Sequence, residues 1–342
     1  MRQFNEQIAV LTVSYNHEKW IGQCIESVME QRCNMPIVHY IWDDKSSDGT
    51  FDIIQQYKEK NPKRIISYRQ EENRGALNNY LDALEKILSD SRNKYIALLD
   101  GDDYWCDNNH IDEKCNYMNQ HDKCGIVHSN IYILYDDMHL IKCSERINSM
   151  PQGNIFDQML SRPLFSALSV VMRTSLLYDF PINELRNLPL QTVDHVLELW
   201  VCSKSESKYF EKAIGVWRRH KNTISTSQNL NGKLRWLEHE CAQHKWIINH
   251  FPDCPITKVD LEYHRDNVLF EAYFSAGKYE EARNILDNNA NAGEYAPKYA
   301  SIIKKGKIIY YLYFFAKKMK KCIVVVPSKF MKTGCNSLFP VF

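Results

Sequence analysis

The sequence predicts an α/β fold: a mostly parallel sheet with helices on both faces, followed by a helical C-terminal extension. Three observations predict it. Strand-like and helix-like blocks alternate through the first hundred residues with short loops between them. Three polar clusters, Ser14-Tyr15-Asn16, Asp43-Asp44 and Asp100-Gly101-Asp102-Asp103, each close an apolar run, which is where ligands of parallel sheets bind. From Leu230 onward the pattern is helical.

The elements follow in order. Ile8–Ser14 is a short β-branched run, expected as a buried strand. A helix is expected to open at Asn16 or His17 and run to Gln31, because Trp20, Ile21, Cys24, Ile25, Val28 and Met29 recur at helical spacing. Ile37–Trp42 reads as the second strand. Ser47-Asp48-Gly49-Thr50 reads as the cap of a second helix. Ile65–Arg69 is a third strand, Ala76–Leu88 a third helix, and Tyr95–Leu99 a fourth strand that ends abruptly in acids. Further on, Gly125–Leu134, Ser169–Met172 and Tyr209–Val216 read as strands and Val193–Cys202 as a helix. Leu269–Ala276 and Tyr279–Leu286 form an expected helical hairpin around Gly277. We therefore divide the chain into residues 1–228, a helical extension 229–300, and a tail 301–342.

Composition excludes several classes. Of 342 residues, 44% are hydrophobic and 25% charged, as in a soluble globular protein. The net charge is +1, too near neutral for a whole-chain nucleic-acid binder, and no nucleic-acid partner is expected. Eleven cysteines are scattered without a CxxC pair, so neither a disulfide framework nor zinc-ligand spacing is expected. The N-terminal apolar run is too short and polar for a signal peptide. A cytoplasmic protein is the expectation.

The acidic tetrad is the strongest chemical signal. Three carboxylates within four residues repel one another unless a cation bridges them. Hard oxygen ligands suit Mg²⁺ or Mn²⁺, which complete their shell with phosphate oxygens and water. Gly101 is expected to allow a sharp turn. The competing readings are a solvated acidic turn and a helix N-cap; the preceding strand and the two other clusters favour the metal.

Taken in order, these pieces resemble a family 2 glycosyltransferase with the GT-A fold. Ala9–Asn16 resembles the opening strand with its Tyr-Asn loop. Ser27–Gln31 resembles the end of the first helix, and Ile41–Thr50 the aspartate-pair loop. Asn73-Arg74-Gly75 with Asn79 resembles the Asn-x-Gly segment, and Asp100-Gly101-Asp102 the DXD motif. Trp217-Arg218-Arg219-His220, followed by Ser225, resembles a late Arg-x-His element. Thr12 stands where the family often has proline.

The resemblance implies a metal-dependent inverting transfer from a nucleotide-sugar donor, UDP-linked by analogy, to a saccharide or lipid-linked acceptor in surface polysaccharide synthesis. It implies a nucleotide site made of Thr12, Ser14, Tyr15, Asn16, Asp43, Asp44, Asn73, Gly75, Asn79, Asp100 and Gly101. Within it, Asp44 would accept a nucleobase N–H and Tyr15 would border the base. Asp43 would be a second contact or would serve its own loop. Asp102, Asp100 and His220 would hold the Mg²⁺ or Mn²⁺. Asp194, just before a helical run, would be the base that takes the acceptor proton; the competing reading is an N-cap. Glu198 is the fallback, and His195 reads as structural. Arg74 and Arg219 would touch phosphate or water, and the competing reading of Arg218-Arg219 is a solvated basic edge. Trp105 would stack on sugar or join the core. Two alternatives stand beside this reading: a nucleotidyltransferase acting on a sugar phosphate, and a non-catalytic nucleotide-binding scaffold.

The tail has its own chemistry. From Ser301 onward there are nine lysines (304, 305, 307, 317, 318, 320, 321, 329, 332) and no acid, while the first 300 residues carry 34 basic and 42 acidic groups. Ile308–Ala316, IIYYLYFFA, is framed by those lysines. It is far short of the roughly 20 residues that span a bilayer. Two main readings follow, peripheral contact of residues 304–332 with an anionic membrane or a final helix packing on the body of the protein; nucleic-acid binding by the tail is a weaker third.

Overall fold

The computed structural model describes residues 6–143, 150–220, 223, 229–289 and 292–323. Ser225, Lys329 and Lys332 lie outside the described residues. In chain order the first elements are β1 (Gln7–Ser14), α1 (Ile21–Met29), β2 (Ile37–Asp43), α2 (Thr50–Lys60), β3 (Ile65–Arg69), α3 (Gly75–Leu88), β4 (Asn93–Leu98), β5 (Tyr104–Trp105), α4 (His110–Gln120), β6 (Cys124–Tyr135) and β7 (Leu140–Lys142). Then come α5 (Phe156–Ser161), β8 (Val171–Arg173), α6 (Ile182–Leu185), α7 (Asp194–Cys202), β9 (Glu206–Arg219), α8 (Leu230–His250), α9 (Lys258–Ser275), α10 (Tyr279–Asn288), α11 (Pro297–Lys304) and α12 (Lys307–Ile323). The chain forms two compact units, Met1–Ser227 with Lys245–Pro255, and Gln228–His244 with Ile256–Phe342.

In the first unit one sheet runs in the order β3-β2-β1-β4-β8-β6-β9-β5, with β7 on β6. β1 is central, parallel to β2 on one side and to β4 on the other. β3 extends the parallel half, whereas β8 pairs antiparallel to both β4 and β6. Every residue of β2, and all but Val13 of β1, is buried. That burial explains their unbroken apolar character: helices cover both faces. Ile21, Cys24, Ile25 and Val28 of α1 enter this core at i, i+3, i+4 and i+7.

Two expectations are corrected. The first helix begins at Ile21 rather than at Asn16 or His17. Asn16 sits at φ 57°, in the left-handed region. Its amide donates to Ser46 Oγ at 2.9 Å, and the His17 amide donates to Thr50 Oγ1 at 2.7 Å. Asn16 Oδ1 in turn accepts the Ser47 amide at 2.8 Å. These cross-loop bonds satisfy donors that a helix would have used. The last strand is also longer than Tyr209–Val216. β9 continues through Arg219 because Trp217, Arg218 and Arg219 pair with Ile133, Leu134 and Tyr135 of β6.

A buried histidine gives the sheet a measurable pH dependence. His39 in β2 is fully buried, with Nε2 2.8 Å from Thr12 Oγ1. Burial, and then the Arg64 charge, hold its pKa down to about 3 from 6.5. The folded state keeps the ring neutral while the unfolded chain protonates it, so its contribution is present above 6.5 and is lost as pH falls toward 3. His39→Gln removes that proton uptake. Between pH 6.5 and about pH 5, urea titrations are expected to show wild type losing about 2 kcal/mol more unfolding free energy than the variant. Equal losses would show that this imidazole is not the proton acceptor.

In the second unit, Phe270, Phe274, Ala282, Ile303 and Tyr310 from α9, α10, α11 and α12 form one core. Thr257 and Asp260 close a capping box at the start of α9. No helix among the described residues is long and apolar enough to cross a membrane.

Candidate active site

The parallel half of the sheet brings the three polar clusters together. Ser14 lies beside Asp43 in the β1–β2 register. The Asp44 amide donates to Ser14 O at 2.9 Å, and the Gly101 amide to Val13 O at 3.0 Å. Gly101 serves space rather than a left-handed turn. A Cβ there would meet His17 Nδ1 at 2.8 Å and the Val13 carbonyl at 3.1 Å, so only glycine lets the acidic turn lie against the β1 loop.

The residues expected to hold the nucleotide divide into two groups. Tyr15, Asn16 and Asn73 are exposed. Gly75 is exposed at φ 80°, and its amide donates to Asn73 Oδ1 at 3.1 Å. Of the others, Asp100 is exposed and the rest are walled in. Asp43 is fully buried, accepting the Ser46 amide at 2.9 Å and Ser14 Oγ at 3.3 Å, with Arg69 Nε at 3.6 Å. It shapes its own loop and leaves no surface for a ligand, so the second-contact reading gives way to the loop reading. Thr12 is fully buried against His39. Asn79 is also buried; its amide donates to Trp42 O at 2.9 Å and its Oδ1 accepts from Gln70. Thr12 and Asn79 therefore support the walls. Asp44 lies between the groups: it is nearly buried, and its Oδ1 accepts the Arg74 amide at 2.7 Å. Arg74 turns its guanidinium to Asp82 rather than into the crevice.

The tetrad splits by role. Asp103 is buried and accepts the Arg218 amide at 2.8 Å, so it anchors β9. Burial, then the Asp102 and Asp100 charges, push its pKa up. Arg218 donates to the Asp102 carbonyl and to Gln23, and lies 4.5 Å from the Tyr104 ring centre. It clasps the acidic turn and is not a solvated edge. Asp102 faces two imidazoles: Oδ2 is 3.0 Å from His220 Nε2 and 3.9 Å from His17 Nε2. The His220 ring stacks on Trp20 at 4.4 Å. Burial alone would raise Asp102, but the His220 hydrogen bond and the His17 charge outweigh it and hold the carboxyl below its ordinary range. Asp100 moves the other way, raised by desolvation and then by Asp102 and Asp194. Its side chain still opens to solvent, which offsets part of that desolvation.

This donor set fits a hard divalent cation. An ionised Asp102, the Asp100 carboxylate two residues before it and an adjacent imidazole are ligand types that Mg²⁺ or Mn²⁺ accepts while leaving room for phosphate oxygens. Among the described residues no three His, Cys, Asp or Glu groups close into a ready-made cluster. A cation here would need its substrate to complete the shell.

Asp194 is the first residue of α7, but the helix has no side-chain cap bond. Its Oδ1 is buried with no hydrogen-bond partner among the described residues. Glu198, one turn on, and Tyr80 of α3 likewise bury oxygens without partners. Burial, then the Asp194 charge, raise the Glu198 carboxyl well above its ordinary range. His195 Nε2 bonds Met159 O at 2.8 Å and is structural. Trp105 is buried, donating Nε1–H to Leu168 O at 2.8 Å, which rules out a sugar-stacking role.

His17, Trp20 and Tyr80 were not expected at the site. The signal for the first two lies in the stretch just after the Tyr15-Asn16 strand end, where helical spacing competes with it. Tyr80 carried no signal beyond an apolar helix face.

Comparison with known proteins follows the same lines. The family model for glycosyl transferase family 2 matches residues 9–184. An uncharacterized protein of Mycobacterium tuberculosis is 27% identical over 231 residues, 67% of this chain and 63% of its own length, so the match spans less than two thirds of that relative. TuaG of Bacillus subtilis, a glycosyltransferase assigned to teichuronic acid biosynthesis, is 26% identical over 241 residues, 69% of this chain and 88% of its own. Among solved structures, S. aureus TarS 1–349 in complex with UDP-GlcNAc has a TM-score of 0.52 at 16% identity, covering 91% of this chain and 92% of its own. The mannosyltransferase PcManGT of Pyrobaculum calidifontis, in complex with GDP-Man and Mn²⁺, has a TM-score of 0.50 at 14% identity, covering 94% and 81%. At such identities the two structures speak for the fold alone.

Proposed function

The chain belongs to glycosyl transferase family 2 and is a glycosyltransferase of GT-A fold, and on that basis we propose that it moves a sugar, with inversion, from a nucleotide-sugar donor to a saccharide or lipid-linked acceptor in surface polysaccharide synthesis. UDP is the favoured nucleotide, in keeping with the UDP-GlcNAc bound by TarS, and GDP is the next to test. The polysaccharide context rests on the assignment of TuaG. Residues 1–228 form the transferase domain in this reading, with 229–300 as extension and 301–342 as tail. Family membership disfavours the nucleotidyltransferase and scaffold alternatives.

The observation that carries the reading is Asp102 held ionised between His220 and His17 at the end of the strand beside β1. Residues Asp102, Asp100 and His220 would hold Mg²⁺ or Mn²⁺, which supplies positive charge against the departing diphosphate when bound. Tyr15 borders the nucleobase, and the free acceptor capacity of Asp44 takes a base N–H. Gly75 and Asn73 leave open backbone where the nucleoside enters. Asp194 takes the proton from the acceptor hydroxyl at its unpartnered oxygen as that hydroxyl attacks the anomeric carbon.

A panel of nucleotide sugars, assayed for released nucleoside diphosphate, tests this directly. One donor is expected to be turned over in the presence of Mn²⁺, releasing the diphosphate. Release of pyrophosphate from a nucleoside triphosphate instead would overturn the proposal.

A further inference from the structure

We propose that α12 docks in the plane of an anionic lipid bilayer through the face carrying Ile308, Tyr311, Leu312 and Phe315. These four recur at i, i+3, i+4 and i+7, hence in one stripe. They are 76%, 50%, 57% and 66% exposed. The opposite side of the helix is taken. Tyr310 is fully buried and its hydroxyl donates to Phe274 O at 3.0 Å. Tyr313 and Phe314 pack on the same helical core. Folding of the helical unit therefore accounts for one face of α12 and leaves the other, apolar face in water, which soluble surfaces avoid unless it binds something.

The surrounding charge selects the occupant. Lys304, Lys305 and Lys307 are exposed at or just before the start of α12, and Lys317 is exposed two residues after Phe315; no acid follows Ser301 in the sequence. A second copy of this face would set lysines against lysines. A nucleic acid would engage the lysines and leave the apolar stripe unburied. An anionic membrane takes both at once: lysines at the headgroups, Ile308, Leu312 and Phe315 below them. Lys307 also pairs with Glu280 at 2.6 Å, which ties this end of α12 to α10. A helix of 17 residues interrupted by lysines is suited to lie in the interface, and it does not qualify as a membrane span. The inference goes beyond sugar transfer and does not depend on it.

The test is co-sedimentation of the full chain with vesicles of phosphatidylcholine alone, or with about 30% phosphatidylglycerol. Wild type is expected to pellet with the anionic vesicles, less so as salt rises, and to stay in solution with phosphatidylcholine. The triple substitution Ile308→Ser, Leu312→Ser, Phe315→Ser is expected to cut the bound fraction at least tenfold, with donor turnover in the absence of vesicles unchanged. Lys304→Gln with Lys305→Gln and Lys317→Gln is expected to weaken binding several-fold. The proposal is overturned if the serine variant pellets like wild type or if wild type never pellets. It is equally overturned if wild type forms a dimer that the serine variant dissolves, which would give the face to a second copy. Binding that appears only after truncation beyond residue 323 would assign the face to the chain's own C-terminal segment.

Discussion

Asp102→Asn is expected to lower kcat/KM for donor turnover by three orders of magnitude or more, with the fold retained. The reasoning starts from charge. Asp102 is held below the ordinary carboxylate range by His220 at 3.0 Å and His17 at 3.9 Å. Asparagine preserves size and can still meet His220, but it removes the negative charge that would hold a cation against a diphosphate. Losing one preorganised electrostatic contact at a developing charge costs about 3–4 kcal/mol, and a cation carries two positive charges rather than a partial one. EDTA is expected to reproduce the loss in wild type, and added Mn²⁺ to reverse it. In the variant, added Mn²⁺ should restore little. Nucleoside diphosphate release checks all three, with a thermal melt as the control for folding. Full turnover in EDTA would remove the cation from the mechanism.

Asp194→Asn is expected to lower kcat about a thousandfold or more while donor affinity stays within about threefold. Here the motive is an unmet polar group. Asp194 begins α7 without capping it, and Oδ1 is buried without a partner among the described residues. Such an atom costs about 1–3 kcal/mol, so the fold has no use for it where it stands. The variant should therefore be as stable as wild type or more so, a combination that a structural aspartate would not show. Calorimetric titration of the nucleoside diphosphate, a thermal melt and single-turnover transfer separate the three quantities. A variant that retains a tenth of wild-type kcat would move the base elsewhere, with Glu198 first in line.

Much of the site was legible because strand ends are local. β1, β2 and β4 each announce themselves as apolar runs stopped by polar residues, and a parallel sheet brings such ends together. The reading failed where local pattern and tertiary contact competed. Asn16, His17 and Trp20 fit a helical period, yet Ser46 and Thr50 on the neighbouring loop capture the backbone amides of Asn16 and His17. Arg218 looked like a solvated edge because nothing nearby in sequence needs it; Gln23 and the Asp102 carbonyl, far away along the chain, do. Tyr104 and Trp105 form a two-residue strand on β9, too short to leave a periodic trace.

The amino-acid order was enough for the class of fold, the crevice at the strand ends, the family resemblance and the split of charge between body and tail. Each of these rests on patterns a few residues long: alternation of apolar blocks, acids after a strand, lysines around aromatics. Folding in three dimensions assigned the roles within those patterns. It turned Asp103 inward to β9 and Asp102 toward His220, 118 residues away. It buried Asp43 and Thr12, and it divided α12 into a packed face and an open one. The physical reason is that burial periodicity is written element by element, whereas the partner of a buried carboxylate is chosen by whichever distant strand or loop closes over it.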